Sequence, residues 1–243
     1  MLTKSKAIVI KSIKYGEQKL VVDFYTSSFG RMTSVVKISE KKGGKFRKQY
    51  FQPLTILTVE AEYREQSAMQ RISDVQIAAP CPSLHSDPVK MTIGLFLAEI
   101  LYHVTRQESD DEGLFAFLEH SILWLDATES GIANFHIAFL VRLVGLLGFL
   151  PSHHEYHEGE AFDMMTGEFT SSLPLHTHVL RGDEAHAMSN VLRMNYTNMH
   201  LFRMSRQQRN RCIEMILLFC RLHLPAFPEI KSFAVFQEFF RNV

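Results

Sequence analysis

Ten of the twelve lysines in the 243-residue chain fall within its first 48 positions, and seven basic groups crowd residues 31–48: Arg31, Lys37, Lys41, Lys42, Lys45, Arg47 and Lys48. Lys14 belongs to the same lysine-rich end. The segment Lys41-Lys42-Gly43-Gly44-Lys45-Phe46-Arg47-Lys48-Gln49-Tyr50-Phe51 interleaves cations with three aromatic rings, and its two adjacent glycines keep the backbone adaptable. An ammonium group that neutralises a phosphate releases condensed counterions, which gives affinity for a polyanion without sequence information, while aromatic rings stack on bases of any identity. The competing reading is a solvated loop whose lysines keep a sheet edge from pairing with another chain. Charge decides between the two only when it is taken by segment. The chain balances 26 basic against 26 acidic residues, yet residues 1–80 hold fourteen basic and seven acidic groups, 81–190 four and sixteen, and 191–243 eight and three. A merely soluble loop needs no such local excess, so a nucleic-acid contact is favoured.

A second basic cluster, Arg203, Arg206, Arg209 and Arg211, stands at the start of a helix that Ser205 and Gln208 open as a capping box. Cations there oppose the helix dipole at roughly 0.3–1 kcal/mol each, a cost that an anionic partner would offset. Pairing with the acidic middle of the chain would offset it equally well. An acidic peptide with an apolar end would want a groove between helices rimmed by arginine, so Arg142, Arg203, Arg206 and Arg209 are candidate contacts. Arg142 also interrupts the greasiest run, Ile137–Leu150, which is shorter than the ~20 residues of a bilayer span, so no membrane partner is expected.

Bond-breaking chemistry finds little support. Gly43-Gly44-Lys45-Phe46 has neither the earlier glycine nor the following Ser/Thr of a phosphate loop, and no GxSxG, GxGxxG or HExxH pattern occurs. His153, His154, His157, Glu158 and Glu160, with His176 and His178, could ligate a borderline cation. Their spacing fits no structural zinc pattern and no thiolate lies near, so no metal and no cofactor is expected. Cys81, Cys212 and Cys220 form an odd count without CxxC spacing, which suits a reducing cytoplasm, and no secretory leader is seen.

The elements that must carry the cations can be read from periodicity. Short β-branched or aromatic runs at 7–13, 20–25, 31–36, 54–62 and 69–75 predict five strands. Gly16 and Gly30 sit where tight hairpins need positive φ, so the first three strands should form a meander. In the second strand Leu20, Val22 and Phe24 share one face, and the Asp23 face is expected to be wet. Five strands in eighty residues suggest a small closed barrel of OB type, because closure removes exposed edges. From Asp87 the texture turns to helical periods at 87–106, 110–126, 131–149, 183–194 and 205–224, with caps at Asp87-Pro88 and Ser109–Glu112. The 131–149 helix is apolar nearly all round and should be central. The fold class is therefore α+β and multidomain: an OB barrel over 1–80, then an all-α domain over 81–243 with a polar loop or subdomain at 151–180.

With strands and basic loop in place, the text resembles a known family. Ala7-Ile8-Val9-Ile10-Lys11, Tyr15-Gly16-Glu17, Asp23-Phe24-Tyr25-Thr26, Phe29-Gly30-Arg31 and Val35-Val36-Lys37 are similar to the opening of the bacterial RecO recombination mediators. Phe51-Gln52-Pro53-Leu54, Leu146–Pro151 and Ile230-Lys231-Ser232 extend the likeness over almost the whole chain. The resemblance implies an OB domain and a helical domain, binding of single- and double-stranded DNA, and strand annealing. It also implies joint action with RecR to load the RecA recombinase, and binding of the acidic C-terminal tail of single-stranded-DNA-binding protein. Such a mediator would be cytoplasmic and associated with the nucleoid. Lys11, Arg31 and Lys37 match barrel positions where the family places DNA-contacting cations. Two departures stand out. Ser39-Glu40 replaces the usual later basic residue, shifting weight to Lys41–Lys48. The four cysteines that form a zinc module in many relatives are absent from Pro151–Pro174, so zinc is not expected.

Overall fold

The computed structural model of the protein describes residues 2–39, 46–64, 66–106, 111–149 and 156–241. The first five strands are β1 (Leu2–Lys14), β2 (Lys19–Thr26), β3 (Gly30–Lys37), β4 (Ile56–Glu62) and β5 (Arg71–Ala79). They pair antiparallel in the order β3-β2-β1-β4-β5. A parallel bridge from Ser34 to Gln70 brings β3 to β5, where the Gln70 N–H donates to the Thr33 carbonyl at 2.8 Å, closing an OB-like barrel. Gly16 (φ 76°) and Gly30 (φ 59°) hold the two hairpins of the expected meander.

Period-two alternation turns Val9, Leu20, Val22, Phe24, Met32, Val36, Leu57, Val59 and Val75 into the barrel, each burial contributing roughly 2 kcal/mol. The opposite face of β2 departs from expectation. Its lower half is not wet: Tyr25 is fully buried and stacks on Phe115 at 6.4 Å, and the Asp23 side chain is only 14% exposed. The cause is tertiary, since Phe115 belongs to a helix that packs on the outside of the sheet.

The helices are α1 (Pro82–Ser86), α2 (Pro88–Val104), α3 (Glu112–Ala127), α4 (Phe135–Leu146), α5 (Asp183–Leu192), α6 (Arg206–His223) and α7 (Lys231–Phe239). Their starts follow the expected caps. Asp87 accepts from the Val89 and Lys90 N–H groups, Asp111 accepts from Leu114, and Ser205 with Gln208 forms the full capping box.

The chain packs as two compact units, Met1–Ala127 with Ile230–Val243, and Thr128–Glu229. In the first, α7, which the sequence reading did not anticipate, packs on α2 through Phe96, Phe233 and Phe236. The Glu99 carboxylate of α2 accepts from the Lys231 and Ser232 N–H groups at 3.0 and 2.7 Å, satisfying the free donors at the start of α7. In the second, α4 is buried on almost every side, as its uniform apolarity implies. The polar stretch after it holds, from Ala161, a three-stranded sheet of β6 (Ala161–Asp163), β7 (Glu168–Thr170) and β8 (Val179–Leu180), ordered β7-β6-β8.

Candidate nucleic-acid interface

Strand register arranges the outward side chains of β1, β2 and β3 in rows. At the hairpin end Lys19 lies opposite Lys37, and the Tyr15 N–H donates to the Lys19 carbonyl at 2.8 Å. The next row is Ile13, Val21 and Val35, with Ile13 49% and Val35 37% exposed. Below it come Lys11, Asp23 and Thr33, and then Tyr25 opposite Arg31. From Lys37 to Arg31 is six residues of strand, about 20 Å at 3.3 Å per residue. This face therefore runs from an exposed cation pair, over an exposed apolar strip, to a second group of cations. Such a face offers ammonium groups to phosphates and an apolar surface to sugars and bases.

Of the cations expected at the site, the fold brings Lys11, Arg31 and Lys37 onto this one face and adds Lys19, which the sequence reading had only counted. Lys14 is exposed at the same end of the barrel, but its register partner is the inward-facing Leu20, so it projects from the other side of the sheet. Arg47 and Lys48 are exposed beside the short 3-10 turn Lys48–Phe51. Lys41, Lys42 and Lys45 lie outside the described residues. Of the loop aromatics expected to stack on bases, Phe51 is turned into the core instead, and Phe46 and Tyr50 are half-buried. Phe51 is 2% exposed and meets Phe24 edge-on at 6.5 Å, while Phe46 stacks on Phe51 at 6.4 Å and Tyr50 packs on the same core. Apolar rings at a barrel opening gain more from burial than from water. Among the described residues the exposed ring is Tyr15, 61% accessible at the hairpin tip.

Arg31 is held from both sides. Its guanidinium donates to Thr105 Oγ1 at 2.9 Å and to the Tyr102 carbonyl at 3.3 Å, and lies 3.5 Å from Asp23, which also accepts from Thr33 Oγ1 at 2.6 Å. Burial pulls its pKa below the usual arginine value, with Asp23 opposing that shift, and it remains a cation. Lys11 Nζ rests 3.9 Å above the centre of the Tyr102 ring.

In the second unit the four candidate arginines differ in setting. Arg142 of α4 and Arg206 at the start of α6 are exposed. Arg209 donates to the Met204 carbonyl at 2.6 Å, and partial burial lowers its pKa. Arg203 lines a groove of about 660 Å³ with Glu184, Ala187, Leu201, Phe202 and Met215. Arg211, on the same groove, is tied to Glu184 at 2.6 Å and to Glu214 at 3.1 Å, the pairing with acidic partners that the charge pattern also allowed.

Other chemistry is sparse. Among the described residues no three His, Cys, Asp or Glu side chains converge on a point that could hold a metal ion. His157 pairs with Glu160 and His176 with Asp163, while His153 and His154 lie outside the described residues. The three cysteines are free, and burial pushes their thiols up to about 11 for Cys81 and Cys212 and about 12 for Cys220, so all are protonated at neutral pH. No helix among the described residues is long and apolar enough to cross a membrane.

Residues 1–81 match the family model described as Recombination protein O N terminal, and residues 85–232 the one described as Recombination protein O C terminal. The chain is 42% identical over 241 residues to the DNA repair protein RecO of Bacteroides fragilis, and 41% over 240 residues to that of Phocaeicola vulgatus. It is 34% identical over 241 residues to the one from Christiangramia forsetii. Each match covers 99% of this chain and 100% of the relative.

Proposed function

The chain belongs to the RecO family of DNA repair proteins, and from that premise we propose that it is a recombination mediator whose barrel binds DNA across the outward face of β1–β3. The observation that carries this reading is the row order on that face: Lys19 and Lys37, then Ile13, Val21 and Val35, then Lys11 with Arg31 behind it. Lys19, Lys37 and Lys11 would meet phosphates directly. Arg31 adds its charge from a partly buried seat, while Lys14, Arg47, Lys48 and the neighbouring Lys41, Lys42 and Lys45 extend the positive field. Binding of this kind is indifferent to sequence, which is what an annealing protein requires of two complementary strands. No bond is made or broken in such a role.

The helical unit supports a second contact. The groove beside Arg203 is lined by apolar Leu201, Phe202 and Met215, and Arg203 makes no ion pair among the described residues while Arg211 is matched by Glu184, so an acidic peptide ending in apolar residues would meet Arg203 there. We assign it to the acidic tail of single-stranded-DNA-binding protein, with Arg203 at the groove and Arg142, Arg206 and Arg209, which are not among its lining residues, as further candidate contacts. We also propose joint action with RecR in loading RecA at the nucleoid, a reading that rests on the resemblance alone and on no surface described above.

The test is a salt series on a labelled single strand. If about six phosphates are neutralised, log affinity falls against log salt with a slope of about −4. An affinity indifferent to salt, together with intact binding of the acidic peptide, would leave a protein-docking adaptor as the better account.

A further inference from the structure

A pocket of about 250 Å³ opens between β1 and α2, lined by Ile10, Lys11, Ser12 and Pro53 on one side and by residues of α2 that include Glu99, Tyr102 and His103 on the other. Three cations converge on the ring of Tyr102: Lys11 Nζ at 3.9 Å from its centre, the Arg31 guanidinium carbon at 4.7 Å and that of Arg106 at 5.4 Å. The π face attracts each cation, but the cations repel one another. Asp23 already balances Arg31, which leaves Lys11 and Arg106 against the single charge of Glu99. Asp23 is bonded to Arg31 and Thr33, and both oxygens of Glu99 are engaged by the N–H groups of Lys231 and Ser232. Lys11 and Arg106 make no ion pair among the described residues. The same crowding reaches His103, whose pKa is lowered first by burial and then, against Glu99, by Arg106, Lys11 and Arg31.

Two cations without an ion pair, Lys11 and Arg106, placed on the ring of a residue that lines the pocket, are the arrangement an anion would complete. Resting on the DNA-binding reading above, we propose that the cation cluster on Tyr102, at this pocket, seats one phosphate group of a bound strand, with Lys11 and Arg106 as its direct ligands. Tyr102 is the platform that holds them. The pocket continues the track from the barrel onto α2, so the strand would run from Lys37 past Ile13 and end its contact at Arg106.

The experiment is the salt dependence of single-strand binding by the full chain, using oligonucleotides with a 5′-hydroxyl or a 5′-phosphate. Arg106 is exposed, so Arg106→Ala removes one ligand without depending on core packing. It should cut affinity about fivefold at 0.1 M salt and reduce the magnitude of the log–log slope by about 0.7. Tyr102→Leu should do as much by releasing the cations, and Tyr102→Phe, which keeps the π face, should restore binding. A loss with both oligonucleotides identifies a backbone phosphate, and a loss confined to the 5′-phosphorylated strand identifies a terminal one; either supports the pocket. If Lys37→Gln weakens binding while Arg106→Ala and Tyr102→Leu change neither affinity nor slope, the pocket is overturned and the barrel face stands. If the wild-type chain binds no DNA, both fall together.

Discussion

The facing lysines of β2 and β3 make a prediction in which stability and function move in opposite directions. The Ile38 N–H donates to the Gln18 carbonyl at 2.8 Å, which makes 18 and 38 a hydrogen-bonded pair and leaves Lys19 and Lys37 as the adjacent non-bonded pair, the closer of the two kinds. Neither ammonium has an ion-pair partner among the described residues. Opposed like charges of this kind cost about 0.5 kcal/mol, within the range for cross-strand pairs. Lys19→Gln and Lys37→Gln should each stabilise the fold by about that amount, a rise of 1–2 °C in Tm for a chain of this size. The double variant should gain little more, because the first substitution has already removed the repulsion. Binding should behave differently. Each lysine releases its own counterion, so the salt slope should lose about 0.7 per substitution and about 1.4 for the pair. Urea denaturation and fluorescence titration at several salt concentrations, run on all four proteins, give both cycles. Stabilisation with undiminished DNA affinity would falsify the assignment of this row to the interface, and a loss of stability would show that the two charges do not repel as placed.

Arg31 and His136 give two further tests. Removing the guanidinium by Arg31→Met strips Asp23 of its counter-charge and leaves the Tyr102 carbonyl and Thr105 short of a donor; urea denaturation should show a loss of about 2–3 kcal/mol. Arg31→Lys should recover less than half of that loss, since one ammonium cannot span Asp23 and Thr105 together. His136 on α4 is wholly buried, and burial, aided by the charge of Arg209, pushes its pKa down to about 3. In the unfolded chain it titrates near 6.5, so its contribution to stability is intact above that pH and drains away as pH falls toward 3. The drain is about 1.4 kcal/mol per pH unit, or about 2 kcal/mol between pH 6.5 and 5. Denaturation of wild type and His136→Gln at pH 7.5, 6 and 5 should show the variant losing less stability by one proton's worth; parallel pH profiles would remove His136 from the account.

Much of the architecture was legible residue by residue. Gly16 and Gly30 marked hairpins because positive φ is a local demand, and Asp87, Ser205 and Gln208 marked helix starts because orphan amides are satisfied within a turn. Leu20, Val22 and Phe24 announced the inner face of β2 by alternation alone. The site was less legible. Lys19 was only one of ten lysines until register set it across from Lys37, and no sequence pattern singled out Tyr102, on whose ring cations from β1, β3 and the turn after α2 meet. The loop aromatics suggested stacking by composition, whereas Phe51 enters the core.

The chain's own text thus determined the periods of its strands and helices, their ends, its uneven charge and its family. Only the tertiary structure decided which outward faces stay open. Asp23 and Val21 belong to the same face of one strand, yet Asp23 is covered with Arg31 and Val21 borders the exposed strip. The difference comes from helices some seventy to ninety residues further along the chain, Thr105 on Arg31 and Phe115 on Tyr25. Alternation is written in neighbouring residues, but solvent access is set by whatever packs on top, and that contact is closed through sequence separations no local pattern records.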